Sequence, residues 1–357
     1  MVGPGLDRGR LRCGVFLLAG RFSGEGDGDA LARASDAVVA AEGAGFDDAW
    51  MAEHHFVPYG TCPSAVTFAA HALGRTRRIG LGTAVSVLST VHPVALAEQV
   101  ALVDQLSGGR ITVGVGRGGP WVDLEVFGAG VDRYESGFAE TLDLLLRALS
   151  DERVSANDER SDGEVEAGVE PPRFLFREVA MVPRPRTRPH PPVVVACTSP
   201  STVELAAERG LPMLLGLHVD DDEKAHMIGH HAKAARAAGY DPESIEHVGA
   251  VLAHVADTHA EAVGELRAAM PRWLEEGLGA HVTVDGRPRP MRDPVEYTER
   301  LCAIHPVGTP DECIDRLRSS AERTGMRRFI LMVEGAGTYD RTLDNIARLG
   351  AQVLPHL

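Results

Sequence analysis

The chain has 357 residues, with few cysteines, few aromatic residues and no long apolar run. The five cysteines show no C-x-x-C spacing and their number is odd, which fits a reduced, cytoplasmic compartment better than an oxidising one. No stretch of about 18 apolar residues is present, so we expect no membrane span. The apolar run Cys13–Ala19 follows Arg8, Arg10 and Arg12 and faintly resembles a signal peptide. We interpret it as a first strand, because no small-residue cleavage site clearly ends it.

Basic residues are also in the minority. Lys and Arg together number 36, against 51 Asp and Glu, which gives a formal net charge of −15. We therefore expect no binding to nucleic acid and none to an anionic membrane surface. Apolar residues make up 44% of the chain, which is enough for a full core. The length suits one large α/β barrel or two ordinary domains.

Short apolar runs alternate with longer segments of helical period along most of the chain. Eight runs are interpreted as strands: Leu11–Leu18, Asp47–Ala52, Arg78–Val87, Ile111–Val115, Val193–Ala196, Pro212–Leu217, His247–Val255 and Arg327–Val333. A strand-helix unit of about 30 residues favours parallel strands joined by right-handed crossovers. We therefore predict an α/β fold, a (β/α)8 TIM barrel that forms a single domain over residues 1–357.

Two segments interrupt this alternation. Residues 151–192 are first acidic and then rich in Pro and Arg, and we predict a solvated insert with one hairpin at most after the fourth strand. Residues 277–293 are rich in Gly and Pro, and we predict an irregular loop before the eighth strand that acts as a lid over the barrel. A slack surface loop is the alternative interpretation of this second segment.

The second predicted strand carries the first candidate site. It ends in Trp50-Met51-Ala52-Glu53-His54-His55-Phe56. Side chains at the carboxyl ends of barrel strands line the active site. Histidine titrates near neutral pH, so a histidine pair at this position can hold and move protons. A histidine that caps backbone carbonyls is the alternative.

Two further strand ends suggest anion binding. Strand four ends in Gly114-Val115-Gly116-Arg117-Gly118-Gly119, where glycine permits close backbone approach and Arg supplies a charged group. A tight turn with a surface Arg is the alternative. Strand five ends in Cys197-Thr198-Ser199-Pro200-Ser201-Thr202 and enters a helix, where hydroxyls and free N–H groups form an anion site. Four hydroxyls exceed what a helix cap needs, so we predict phosphate binding at this turn.

Neither thiol chemistry nor a metal site is expected. Cys197 lacks an evident base and is interpreted as a small buried residue. His54 and His55 are adjacent, and adjacent strand residues face opposite sides, so the two are not expected to bind one metal ion. His226, His230 and His231 have helical spacing, but they lie on a polar helix and are interpreted as a solvated face.

These segments together resemble the bacterial luciferase family of flavin monooxygenases, in particular its catalytic α subunit. The resemblance covers nearly the whole chain, and its most specific segments are Glu42–Trp50, Glu53–Phe56, Gly82–Ala84, His92-Pro93, Leu102–Gly116, Ala206–Met213 and Pro306–Cys313. It implies a barrel that binds reduced FMN, supplied by a separate flavin reductase. It also implies that the reduced flavin reacts with O2 to give a C4a-hydroperoxide, which oxygenates a small organic substrate.

The resemblance also assigns residues. His54 matches the catalytic histidine, and His55 matches its essential neighbour, which would orient His54 or bind substrate. The cofactor-binding residues that it implies are Glu53, Ala84, Val85, Arg117, Gly118, Arg133, Thr198, Ser199 and Thr202. The Ala84–Val85 bond matches a non-proline cis peptide beneath the flavin ring. Arg133 is assigned by position alone, because Glu135 occupies the place of a second phosphate arginine.

Departures from the family pattern limit what the resemblance implies. Gly116 stands where the luciferase α subunit has a reactive cysteine, so thiol chemistry near the flavin is not expected. The predicted lid is rewritten, so we expect a substrate other than a long-chain aldehyde and no light emission of consequence. The alanine-rich segments Pro63–Leu73 and Pro93–Leu106 predict a homodimer interface. An F420-dependent oxidoreductase on the same barrel and a non-catalytic flavin-binding partner subunit are the alternatives.

Overall fold

The computed structural model describes residues 10–119, 121–128, 130–156, 173–280 and 293–357. Its centre is a barrel of parallel strands: β1 (Arg12–Leu17), β2 (Asp48–Met51), β3 (Gly80–Thr83), β4 (Ile111–Gly116), β5 (Val193–Cys197), β6 (Met213–Leu215), β7 (Val248–Leu252) and β8 (Arg328–Met332). Each strand pairs with its neighbours in chain order, and β8 pairs with β1 to close the barrel. The predicted (β/α)8 fold is confirmed, and every strand overlaps its predicted run.

Helices surround the barrel. Those of eight residues or more in the described ranges are α1 (Asp27–Ala44), α2 (Ala65–Arg75), α3 (Pro93–Ser107), α4 (Phe138–Ser150), α5 (Pro200–Ala207), α6 (Asp221–Ala237), α7 (His259–Ala280), α8 (Pro294–Ile304), α9 (Pro310–Thr324) and α10 (Tyr339–Gln352). Gly45 and Gly108 end α1 and α3 in the left-handed conformation, with φ of 89° and 73°. None of the described helices is both long and apolar enough to span a bilayer.

The insert between β4 and β5 contains the one hairpin that was predicted. Arg153–Ala156 pairs antiparallel with Phe176–Ala180. Residues 157–172, in the middle of the insert, lie outside the described residues.

The predicted amino-terminal boundary of the lid is wrong. Helix α7 continues through Gly277 to Ala280, because Gly277 lets the helix pack on an aromatic ring: a Cβ there would lie 2.0 Å from Cδ2 of Tyr59. At the other end, Pro294 follows the predicted end of the lid directly and begins α8. Asp293 caps this helix, and proline fits its first turn. Residues 281–292, the remainder of the predicted lid, lie outside the described residues.

A polar cluster closes the barrel interior from the amino ends of the strands. Trp50 is fully buried, and its Nε1 donates to Oδ1 of Asp48 at 2.6 Å. Arg328 donates to Oδ2 of the same carboxylate at 2.6 Å. Gly82 faces the Trp50 ring, where a Cβ would lie 2.3 Å from the nearest ring atom. These side chains fill the barrel interior at the amino ends of the strands.

Candidate active site

A cavity of about 420 Å³, called the main cavity here, opens at the carboxyl ends of the barrel strands. Its wall is mostly apolar and includes Phe16, Leu18, Leu214, Met270, Ile330 and Met332. The polar side chains in the wall are His54, Tyr59, Thr198, His218 and Tyr297. A concave apolar pocket with a few polar groups suits a small ligand or the ring of a cofactor.

His54 lies in the wall of the main cavity, directly after β2. Its ring meets Tyr59 edge to face, with ring centroids 5.2 Å apart. Gly60 packs against the other side, where a Cβ would lie only 2.4 Å from Nδ1 of His54. The backbone N–H of His54 donates to the carbonyl of Cys62 at 3.0 Å. These contacts fix the imidazole at the cavity surface.

His55 lies on the opposite side of the chain from His54. It lines a separate cavity of about 200 Å³, called the His55 cavity here, whose polar residues include Glu53, Ser64, Ser86, Thr90 and Gln99. Its ring meets Phe127 edge to face, with centroids 5.0 Å apart. The two histidines therefore face different cavities, as adjacent residues of an extended chain do. The role predicted for His55, to orient His54 or to bind substrate, stays a prediction.

Glu53 holds backbone rather than facing the main cavity. Its Oε2 accepts from the N–H of Ala65, at the start of α2, at 3.0 Å. Its Oε1 accepts from the N–H of Val87 at 2.9 Å. Glu53 therefore ties the segment after β3 to the end of β2, and it lines the His55 cavity, not the main cavity.

The segment after β3 forms part of the main cavity wall. The Ala84–Val85 peptide bond is cis, as the resemblance implies, and both residues line the cavity. Val85 packs closely on Gly116 of β4, where a Cβ would lie 2.5 Å from Cγ2 of Val85. A cysteine at position 116 would displace Val85, which explains in steric terms why glycine stands there.

Arg117 is a half-buried cation that follows β4. Its guanidinium lies over the ring of Tyr134, 4.3 Å from the ring centroid. Within the described ranges, no carboxylate forms an ion pair with it. Gly118, next in the chain, has φ of 83° and packs on Val87, where a Cβ would lie 2.6 Å from Cγ1. Neither residue lines the main cavity itself, and their assignment to the cofactor stays a prediction.

Arg133 is already engaged by the protein. Its Nη1 donates to the carbonyl of Val91 at 3.0 Å. Its guanidinium lies 5.2 Å from the ring centroid of Phe174, which lies just before the second strand of the insert hairpin. These contacts direct Arg133 towards the insert, and they leave its assignment as a second phosphate arginine a prediction.

The hydroxyl turn after β5 divides into two parts. Ser199 caps α5, and Thr202 completes a capping box, with its Oγ1 accepting from the N–H groups of Thr198 and Ser199 at 3.3 and 3.2 Å. Ser201 Oγ lies 3.0 Å from Ser199 Oγ. Ser199 and Thr202 therefore serve the helix cap, and the phosphate binding predicted for this turn stays a prediction. The Thr198 side chain lines the main cavity and remains the candidate ligand contact.

Cys197 and the histidines of α6 are the residues considered for thiol chemistry and metal binding. Cys197 is buried, and burial raises the pKa of its thiol to about 12, which confirms its interpretation as a structural residue. His231 is buried rather than solvated, which contradicts the prediction, and its Nε2 lies 2.9 Å from the carbonyl oxygen of Leu211. The part of the chain that the structure describes contains no group of three or more His, Cys, Asp or Glu that could hold a metal ion.

Two aromatic residues that the sequence interpretation missed close one side of the main cavity. Tyr59 and Trp273 stack with centroids 4.6 Å apart and planes at 19°. Trp273 also lines a neighbouring cavity of about 590 Å³, called the outer cavity here. Aromatic residues make up only 5% of the chain, so each of them could have been considered as a candidate site residue from the sequence.

A buried ion pair fixes the loops beside the outer cavity. Arg33 of α1 contacts Glu334, which follows β8, and both side chains are almost fully buried. Oε2 of Glu334 accepts from the N–H of Leu18 at 2.6 Å, which joins the loop after β8 to the end of β1. Breaking a buried pair of this kind leaves an unpaired charge and typically costs about 3–5 kcal/mol. Its position indicates a role in holding the rim of the barrel.

Asp123 is a second residue that the sequence interpretation missed. It lies in the short helix Trp121–Val126, and only 4% of it is exposed. Burial raises the pKa of its carboxyl group to about 6; His55 opposes this rise and Glu53 adds to it. A carboxyl group so perturbed beside His55 marks this region as a candidate functional site.

Comparisons with known proteins agree with this geometry. The α chain of alkanal monooxygenase from the Kryptophanaron alfredi symbiont is 28% identical over 97% of this chain and 98% of its own length. The 4-hydroxyprotoasukamycin monooxygenase of Streptomyces nodosus subsp. asukaensis is 31% identical over 88% of this chain and 84% of its own length. The monooxygenase RslO1 of Streptomyces bottropensis superposes with a TM-score of 0.76 at 23% identity, covering 97% of this chain and 99% of that chain.

The same fold serves two kinds of cofactor. A type II Baeyer-Villiger monooxygenase from Pseudomonas putida in complex with FMN has a TM-score of 0.73 at 17% identity, covering 98% of this chain and 99% of that chain. An F420-dependent secondary alcohol dehydrogenase has a TM-score of 0.72 at 18% identity, with coverage of 98% and 99%. The model of the family of luciferase-like monooxygenases matches residues 11–328. The match extends over most of the barrel, and the chain therefore belongs to the luciferase-like monooxygenase family.

Proposed function

We propose that the protein is a flavin-dependent monooxygenase that uses reduced FMN and O2 to oxygenate a small organic substrate. The observation that supports this most is the main cavity, whose wall contains the cis Ala84–Val85 segment and His54. The two relatives described above are monooxygenases by name, whereas the F420-dependent neighbour resembles the chain in fold alone.

The residues present fit FMN. Small side chains at Ala52, Ala84 and Ala196 leave room in the main cavity for a flat ring, and Gly116 lets Val85 support the wall from behind. Arg117 offers a cation that no described carboxylate neutralises, which suits a phosphate. These residues therefore provide an apolar pocket for the flavin ring and a cation outside that pocket for the phosphate.

Each residue then has a role in the proposed reaction. Bound reduced FMN supplies the two electrons that activate O2. Arg117 and Thr198 would bind the phosphate end, and the Ala84–Val85 segment would orient the ring. His54 would hold or accept a proton at the cavity wall, because imidazole titrates near neutral pH. Trp273 would exclude water from the apolar side of the site.

We also propose the partners that the family resemblance implies, a flavin reductase and a second copy of this chain. Leu102 and Leu106 lie four residues apart on α3, and therefore on one face of that helix. They are 50% and 79% exposed, which is unusual for two neighbouring leucines. Association of α3 with a second copy would cover this face and give the homodimer.

The proposed cofactor can be tested before the substrate is known. The protein is titrated with FMN and with riboflavin, and separately with F420, and the oxidation of reduced FMN and of reduced F420 is followed in air. We expect FMN to bind more tightly than riboflavin, and bound reduced FMN to consume O2. Arg177, an exposed residue of the insert hairpin, provides the matched control for Arg117. Binding of F420 without binding of FMN would overturn the proposal.

A further inference from the structure

The outer cavity lies on the side of the barrel mouth that the proposed FMN contacts leave free. Its wall is formed mainly by the segments that follow β1 and β8, residues 21–25 and 334–338, together with α7. Strands β1 and β8 pair with each other and lie across the barrel from β4 and β5, which Arg117 and Thr198 follow. A phosphate held by those two residues does not compete for the outer cavity. Its volume of about 590 Å³ is typical of ligand sites in proteins.

Trp273 separates the outer cavity from the main cavity. Of the residues that the structure describes, it alone lines both. Tyr59, which lines the main cavity, covers one face of the indole, with ring centroids 4.6 Å apart. Gly20 meets the edge of the indole, where a Cβ would lie 2.6 Å from Nε1 of Trp273. A molecule that moves directly from one cavity to the other therefore has to pass Trp273.

Buried charges hold the backbone against which Trp273 packs. Arg33 donates to the carbonyl oxygen of Gly20 and forms ion pairs with Glu25 and Glu334. The Arg33 side chain is only 1% exposed. Arg33 therefore fixes the segment after β1 against the loop after β8, and Gly20 fixes one edge of the indole. The position of Trp273 is set by contacts deep in the protein.

Every charged side chain that lines the outer cavity already has an ion-pair partner among the described residues. The pairs are Arg33 with Glu25 and Glu334, Arg341 with Glu265, Arg272 with Glu276, and Arg21 with Asp27. The described wall of the main cavity contains no charged side chain. An ionised group that entered the main cavity would lose its hydration and find no charged partner, which is costly. The end of a ligand that enters the main cavity is therefore uncharged.

Two aromatic side chains suit the outer cavity to a flat ring. One face of Trp273 is covered by the stacking described above, and the guanidinium of Arg33 lies 3.6 Å from the ring centroid of Phe22. Both aromatic residues line the outer cavity. An aromatic ligand gains from packing on such rings beyond the area that it buries. Ser23 and Thr338 add hydroxyl groups to the same wall, which suits a ring that bears a hydroxyl or carbonyl group.

We propose that the outer cavity binds the organic substrate before it reaches the flavin, and that this substrate is an uncharged aromatic compound bearing a hydroxyl or carbonyl group. Trp273 contributes twice, because it packs on the ring in the outer cavity and borders the passage to the main cavity. The identification of this ligand as the substrate rests on the proposed function, whereas binding in the outer cavity does not.

The first experiment measures binding by calorimetry at neutral pH and needs no turnover. The probe is 2-naphthol, which is uncharged and aromatic. Two comparison compounds each change one property: 2-naphthoate carries a negative charge on the same ring system, and decahydro-2-naphthol keeps the skeleton and the hydroxyl without aromaticity. We expect 2-naphthol to bind about tenfold more tightly than either, because it loses no ionic hydration and gains an aromatic contact. Equal affinity for the three compounds would overturn the assigned chemical class.

Two variants test the aromatic contact. Trp273→Leu keeps an apolar side chain between the cavities but removes the ring. Tyr240→Leu is the matched control, because Tyr240 is an exposed aromatic residue that lines neither cavity. We expect Trp273→Leu to weaken 2-naphthol binding by about tenfold and Tyr240→Leu to leave it unchanged. Wild-type affinity in Trp273→Leu would overturn the inference; if that variant does not fold, Phe22→Leu takes its place with the same expectation.

Saturation with FMN decides in which cavity the probe binds. FMN is proposed to fill the main cavity, so 2-naphthol in the outer cavity should keep its affinity when FMN is bound. A crystal structure with 2-naphthol should then show its ring against Trp273. Displacement of 2-naphthol by FMN, or its presence in the main cavity alone, would overturn the inference. If FMN does not bind, the proposed function fails, and the crystal structure with 2-naphthol still decides whether the outer cavity is a binding site.

Discussion

Replacing Asp123 with Asn should shift the stability relative to the wild type in favour of the variant as the pH rises from 4 to 8. Burial raises the pKa of the Asp123 carboxyl group from 3.8 to about 6 in the folded state. Between these values the folded protein binds more protons at this position than the unfolded chain does. Wild-type stability therefore falls as the pH rises through the folded pKa, and the loss is complete above it. Asn carries no charge and escapes this loss.

The magnitude follows from the pKa difference. Each pKa unit corresponds to about 1.4 kcal/mol, so the shift implies a loss of roughly 3 kcal/mol in the wild type at pH 8 and about 0.5 kcal/mol at pH 4. The buried amide of Asn has its own unsatisfied hydrogen bonds, which cost about 1–3 kcal/mol. That cost does not depend on pH. The difference between the two pH values therefore isolates the ionisation of Asp123 and should be roughly 2–3 kcal/mol.

The assay is urea-induced unfolding of the wild type, Asp123→Asn and Glu125→Gln at pH 4, 6 and 8. Glu125→Gln should follow the wild type at all three values, because the exposed Glu125 is in contact with solvent in both states. A stability difference between Asp123→Asn and the wild type that stays constant from pH 4 to pH 8 would refute the reasoning. It would mean that the Asp123 carboxyl group is not perturbed by burial beside Glu53 and His55.

Four other substitutions test the main cavity and its surroundings. His54→Ala should keep FMN affinity within about twofold and lose most product formation, as measured by product per reduced FMN; normal coupling would contradict the role of His54. Arg117→Ala should weaken FMN binding by about 1.5–3 kcal/mol and riboflavin binding little, because one charge-assisted bond to phosphate is lost; Arg177→Ala should change neither. Trp273→Ala should join the main and outer cavities and raise the hydrogen peroxide released per reduced FMN. Leu106→Glu should convert a dimer into a monomer in light scattering, and a wild-type monomer at micromolar concentration would exclude the proposed interface.

The sequence by itself determined the barrel. Eight short apolar runs separated by helical segments leave parallel pairing as the natural arrangement, and each predicted run overlaps an observed strand. Helix ends at Gly45 and Gly108 were also predictable, because glycine adopts the left-handed conformation that ends a helix at little cost. The position of His54 followed from the same logic, since the carboxyl ends of parallel strands meet at one end of the barrel.

Local composition led to a wrong prediction where tertiary packing determines the secondary structure. Glycine and proline predicted an irregular loop from Gly277, yet Gly277 lies in α7 because only glycine lets the helix approach Tyr59. Pro294 begins a helix directly after the predicted loop, since proline at the first helical position lacks only an N–H that would be unpaired there anyway. Glycine and proline occur both in loops and in helices. The sequence alone does not show which distant residue packs against them, and that contact decides between the two.

Only the tertiary structure decided which side chains meet. It separated the adjacent His54 and His55 into two cavities, and it buried Asp123 of the short helix after β4. It also showed that the hydroxyls of Ser199 and Thr202 satisfy one another in a helix cap. Such pairings depend on where distant strands end and on which buried atoms lack partners. They arise when the barrel closes, because closure fixes the relative positions of side chains that lie far apart in the sequence. No local sequence pattern predicts those positions.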